Sequence, residues 1–218
     1  MTDTNFKAFI DTVFNEIKIA KSIGELKGIE ERTFEPKYQM DVDAYPKIEF
    51  SIKSEEIADL QKQGILNADY TLSNTLTKDL NHPLSKLLYA LAWKNGDLKK
   101  LKHIAKGIAE IDKTDAGQDE ALVFYQFGRH LTKTDGQPII DQHVIRAFAV
   151  YQLEEENDME PYLKLSVITA KHKPMIKSYI NWLQSYELSS ELKAQKDYSY
   201  YIDRILFAAG RMIKQRKS

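Results

Sequence analysis

The chain contains no cysteine. Disulfides, thiolate nucleophiles and cysteine-ligated zinc or iron–sulfur centres are therefore excluded. No apolar run approaches the ~20 residues that a membrane-spanning helix needs. The opening MTDTNFKAFID has neither the basic start nor the apolar stretch of a secretory leader, and with the absent cysteines this sets the expectation of a cytoplasmic protein. Charge of one sign is also missing. The formal net charge is −1, so a nucleic-acid partner would have to meet a local patch and not a global field. Phosphate-gripping motifs of the Gly-x-x-x-x-Gly-Lys and Gly-x-Gly-x-x-Gly kinds do not occur, nor does a Gly-x-Ser-x-Gly elbow or a His-Glu-x-x-His pair. No cofactor and no metal ligand set is expected.

Helical periodicity fills most of the remaining sequence. Phe6, Phe9, Ile10, Val13, Phe14 and Ile17 recur at i, i+3, i+4, i+7 spacing and predict an amphipathic helix over 4–22 that ends near Gly24. Residues 30–53 break that pattern, and Ile48-Phe50-Ile52 alternates as a short strand or extended arm would. Ser54-Glu55-Glu56 starts a helix. Pro83 suits a first helical turn, with Leu84, Leu87, Leu88 and Leu91 as its inward stripe. Asn95-Gly96-Asp97 stops that helix and begins the next, whose Lys99, Lys100, Lys102, His103 and Lys106 lie largely away from its apolar residues. Further helices follow over 122–131, from Gln142, from Pro161, over 175–183 and from Tyr198. The expectation is an all-α protein of eight to ten helices with at most one short extended segment. It forms a single domain, or two lobes around the central helices 118–152.

Within that centre stands Pro138-Ile139-Ile140-Asp141-Gln142-His143-Val144-Ile145-Arg146. Asp141 occupies the N-cap position. There a carboxylate stays ionised, because the helix dipole and free N–H groups favour its charge. The stretch resembles the Pro-Val-Asp-Thr-His-Val-x-Arg segment of helix-hairpin-helix DNA glycosylases. The resemblance implies that Asp141 is the catalytic carboxylate that stabilises an oxocarbenium-like transition state. His143 and Arg146 would lie on the DNA side, and duplex DNA would be the partner. The glycine-rich hairpin that precedes the aspartate in that family has no counterpart here.

The basic residues Lys99, Lys102 and Lys106, with Arg211, Lys214, Arg216 and Lys217, would then supply phosphate contacts. Trp93 and the cluster Phe124, Tyr125 and Phe127 are candidates for base stacking. A second reading stays open beside this one. Asp141 caps a helix, His143 and Arg146 make structural hydrogen bonds, and the chain is a non-catalytic interaction module that binds a protein or a second copy of itself. An exposed apolar patch would favour that reading.

Overall fold

The computed structural model describes residues 3–113, 121–154 and 159–215. Among them the order is α1 (Asp3–Ile19), α2 (Ile23–Thr33), α3 (Ser54–Lys62), α4 (Leu76–Asp79), α5 (Pro83–Lys94) and α6 (Leu98–Ala109). There follow α7 (Leu122–Leu131), α8 (Gln142–Gln152), α9 (Glu160–Leu163), α10 (Lys173–Gln184), α11 (Ser190–Lys193) and α12 (Tyr198–Gln215). Nine of the twelve have seven residues or more, and no strand forms among the described residues, so the fold is all-α. Leu66 and Leu72 pair in one isolated bridge. The alternating Ile48-Phe50-Ile52 stretch does not become a strand. It is irregular, with Phe50 61% exposed. The described end of the expected 118–152 stretch begins at residue 121, and Arg216 and Lys217 lie outside the described residues.

The chain divides into two compact units. One comprises Met1–Ile48 and Asp135–Ser218, the other Glu49–Thr134. The boundaries fall between α2 and α3 and between α7 and α8.

In the discontinuous unit, the periodic face of α1 is buried through Phe6, Ile10, Val13, Phe14 and Ile17. Each such side chain contributes on the order of 2 kcal/mol by leaving water. The stop expected at Gly24 is instead the first turn of α2. Ser22 caps that helix by accepting from the Glu25 N–H at 3.2 Å, and Glu25 accepts from the Lys21 N–H at 2.9 Å. A Ser-x-x-Glu signature at 22–25 carried this information. Phe14 stacks on Tyr151 with ring centres 3.9 Å apart and meets Trp182 at 5.0 Å. Helix α12 is the axis of the unit, with Ile202, Ile205, Leu206, Ala209 and Ile213 closed to solvent. It packs most closely on α8. A Cβ at Gly210 would lie 2.0 Å from the His143 carbonyl oxygen, so the two backbones touch.

In the continuous unit, α6 and α7 are the closest pair. Gly107 and Gly128 make this possible. A Cβ on the first would sit 2.0 Å from the Tyr125 carbonyl oxygen, and one on the second 2.1 Å from that of Ile104. Arg129 of α7 then donates to the carbonyls of Glu110 (2.9 Å) and Ile111 (2.8 Å) at the end of α6. A cation there satisfies orphan carbonyls and complements the negative end of the helix.

Helix α5 departs from expectation. Its leucine stripe does not face a core. Leu84, Leu87, Leu88 and Leu91 are 55%, 68%, 57% and 58% exposed, and only Tyr89 and Ala92 of this helix are partly covered.

Candidate functional sites

The first site is the start of α8. The backbone enters extended at Asp141, and one carboxylate oxygen accepts from the His143 N–H at 2.6 Å. This is N-cap geometry, which satisfies one of the orphan donors of the first turn. Asp141 is half-buried, and its other oxygen accepts no hydrogen bond among the described residues.

His143 and Arg146 are brought together three residues on. Arg146 Nη1 lies 2.7 Å from His143 Nδ1. A guanidinium only donates, so Nδ1 is the acceptor and the imidazole is neutral. Burial, foremost, lowers the His143 pKa and favours the same form. The ring meets Phe207 edge-on at 5.0 Å.

Arg146 is fully closed to solvent. Its Nη1 also donates to the Gly210 carbonyl at 2.9 Å, and its Nη2 donates to the Leu165 carbonyl. Burial pulls its pKa down to about 10, against the opposing pull of Asp141, which leaves a cation at neutral pH. The guanidinium thus ties α8 to α12 and to the turn after α9.

One neighbour of this cluster was not anticipated from the sequence. Asp203 of α12 accepts from Tyr179 Oη at 2.6 Å and from the Ile139 N–H at 2.7 Å. A charged residue beside the apolar stripe of α12 was the available signal. Burial drives the Asp203 pKa up to about 8, against both hydrogen bonds, and the Asp141 charge pushes it the same way.

The second site is the hairpin of α5 and α6. Lys99, Lys102 and Lys106 fall at i, i+3 and i+7 and share one face of α6. Lys100 turns elsewhere. It pairs with Asp97 at 2.5 Å and lies over the Phe124 ring at 4.8 Å. Lys99 and Lys102 border an open cavity of about 310 Å³ that is also lined by residues 71–74, Tyr89 and Leu98. Lys106 is not among its lining residues. Of the aromatic candidates, Tyr125 is buried with its hydroxyl on Glu110 at 3.2 Å, whereas Trp93 is 66% exposed. Arg211 and Lys214 belong to the other unit, where Arg211 donates to the Gln39 carbonyl at 3.3 Å.

Among the described residues no group of three or more imidazole and carboxylate side chains converges to hold a metal ion. No helix among them is long and apolar enough to cross a membrane. The chain matches no protein-family model, no curated protein and no solved structure.

Proposed function

We propose that this chain is a non-catalytic helical interaction module that docks an acidic amphipathic helix of a partner protein on α5. The exposed leucine stripe carries this reading. Four leucines at i, i+3, i+4 and i+7 form the apolar band, about 100° wide, with which a helix normally packs on another element. Here the band faces solvent.

Charge selects the partner. Between residues 83 and 109 the chain carries six lysines (86, 94, 99, 100, 102 and 106) against one acid, Asp97, a difference of five positive charges. Two copies joined stripe to stripe would set these fields against each other, which disfavours self-pairing. Membrane-surface helices place leucine and tryptophan on one side. At 100° per residue Trp93 falls roughly opposite the leucine band. A protein helix with leucines flanked by Asp or Glu answers both the apolar band and its charge. The cysteine-free composition suits a module that works in the reducing cytoplasm.

A fluorescein-labelled synthetic helix with leucines at matching spacing, flanked by glutamates, tests this by anisotropy. Saturable binding is expected. It should weaken at least about tenfold for the Leu87→Gln/Leu88→Gln double variant and for a peptide with lysines in place of the glutamates. Absence of binding overturns the reading. So does a dimer on gel filtration, or sedimentation with phosphatidylserine vesicles, that the double variant abolishes.

The unbonded oxygen of Asp141 supports a second reading, in which it is the carboxylate of a base-excision reaction on DNA. Excision of a damaged base from a duplex oligonucleotide, abolished by Asp141→Asn, would establish it. Silence across a broad lesion panel, with no salt-dependent duplex binding, would reject it.

A further inference from the structure

We infer that the cavity between the 71–74 loop and the start of α6 is a binding site for a phosphate monoester on a compact organic group. This inference concerns the covered side of α5, through Tyr89, and does not depend on what docks on its leucine band.

Several donors at this cavity form no ion pair or hydrogen bond among the described residues. Lys99 and Lys102 line the cavity and enter no ion pair among the described residues. That contrasts with Lys100 one residue away, held by Asp97. Asn74 and Tyr89 also line the cavity, and neither side chain makes a hydrogen bond among the described residues. Two lysines, an asparagine and a tyrosine therefore line one space. All of them can donate, and the two cations make the set complementary to a dianion.

Asp97, which precedes the lining residue Leu98, is paired with Lys100, and the other carboxylate beside these segments is Asp69. It accepts from Thr71 Oγ1 at 2.6 Å and from the Thr71 N–H at 3.1 Å. Those bonds hold it in the loop that forms the cavity wall, and Lys102 lies within its electrostatic reach. Two cations against one satisfied anion leave the space net positive. A neutral or cationic ligand would gain nothing from this arrangement.

Size and wall chemistry narrow the class. A volume of about 310 Å³ lies at the lower end of small-molecule sites. The carbons of Leu72, Leu98 and the Tyr89 ring give an apolar wall beside the donors. A lone phosphate would leave that wall uncovered, whereas a phosphate carrying a small organic group covers both.

The test uses the full chain and isothermal titration with glycerol 3-phosphate, inorganic phosphate and glycerol. Glycerol 3-phosphate should saturate, more tightly than inorganic phosphate, and glycerol should not bind. Lys99→Gln and Lys102→Gln should each weaken binding about tenfold, and Tyr89→Phe severalfold. Lys86→Gln and Lys94→Gln, on the same hairpin but outside the cavity, should leave it unchanged. Lys86, Lys94 and Lys99 are exposed and Lys102 is half-buried, and an unchanged far-ultraviolet spectrum confirms that each variant is folded. No saturation up to roughly 10 mM overturns the site. Equal losses in all four lysine variants would reduce it to diffuse charge and also overturn it. So would a duplex oligonucleotide that binds more tightly than the phosphate monoester with equal dependence on all four.

Discussion

Tyr179 donates to Asp203 across 2.6 Å in a space from which water is shut out. The carboxyl group also receives the Ile139 N–H, so it fastens α10 and α12 to the segment that leads into α8. Desolvation outweighs both bonds and holds the group protonated to about pH 8. An unfolded aspartic acid loses its proton near pH 4. Between these values the folded state binds more protons, so this group's contribution is complete below about pH 4 and is lost as pH rises through about 8. The slope approaches ~1.4 kcal/mol per pH unit at most. Urea unfolding at pH 5 to 8 should therefore show declining stability from this site, and Asp203→Asn should flatten the decline. The amide still accepts from Ile139 and donates to Tyr179 without a charge to bury. A variant with an unchanged pH slope would sink this account.

The two glycine crossings set sharp limits on substitution. Gly107→Ala and Gly128→Ala drive a methyl group into backbone, not into a flexible side chain. Forced repacking costs about 1–3 kcal/mol or more and exceeds the ~1 kcal/mol that alanine gains in a helix. Gly28 in α2 is the control, because its added Cβ meets only the tip of Arg32 at 3.4 Å. Thermal unfolding should show two losses and, for Gly28→Ala, a gain of about 0.5–1 kcal/mol.

Arg146 and Asp141 separate stability from chemistry. Arg146→Leu leaves the Gly210 and Leu165 carbonyls without their donor, and a loss of about 3 kcal/mol is expected in urea unfolding. Asp141→Ala removes a cap and should cost about 1 kcal/mol, whereas Asp141→Asn keeps the cap and should cost almost nothing. Any activity lost in the asparagine variant would therefore belong to the charge. A large destabilisation by Asp141→Asn would show that more than a cap holds this helix start.

Glu30 and Arg204 form a two-point ion pair between α2 and α12, at 2.9 and 3.2 Å, with Glu30 closed to solvent. Burial raises the Glu30 pKa, and the Arg204 charge opposes that rise. Arg204→Met strands the carboxylate and should cost about 3–5 kcal/mol at neutral pH. Because the stranded acid titrates still higher, the deficit should shrink on acidification, as urea unfolding at pH 4.5 and 7.5 would reveal.

Periodicity, caps and proline position made most of the helices legible, because each is a local property of the chain. Pro83 and the Asn95-Gly96-Asp97 stop mark their helix ends closely. The leucine stripe of α5 shows where such reading fails. An apolar face records that a helix seeks a partner and does not record whether the same chain supplies one. Gly24 misled in the opposite direction, since a glycine in a first turn looks like one past a last turn. The bonds from the Glu25 N–H to Ser22 Oγ and from the Lys21 N–H to the Glu25 carboxylate decide between them. Asp141 read correctly as a cap, with Arg146 close by in the same stretch, yet the carboxyl group of Asp203 comes from far along the chain, and spacing alone does not bring it near.

The interrupted unit has a consequence for how the protein comes into being. Its first segment ends at residue 48 and its second begins at residue 135. A ribosome adding about 5–20 residues per second needs roughly 4 to 17 seconds to make what lies between. Throughout that time the apolar face of α1 has no α8 or α12 to cover it, while the intervening unit can already complete itself. Until then α1 has only α2 and Phe34 of its own segment against it, and a chain cut short before residue 135 would lack the two helices that complete its core.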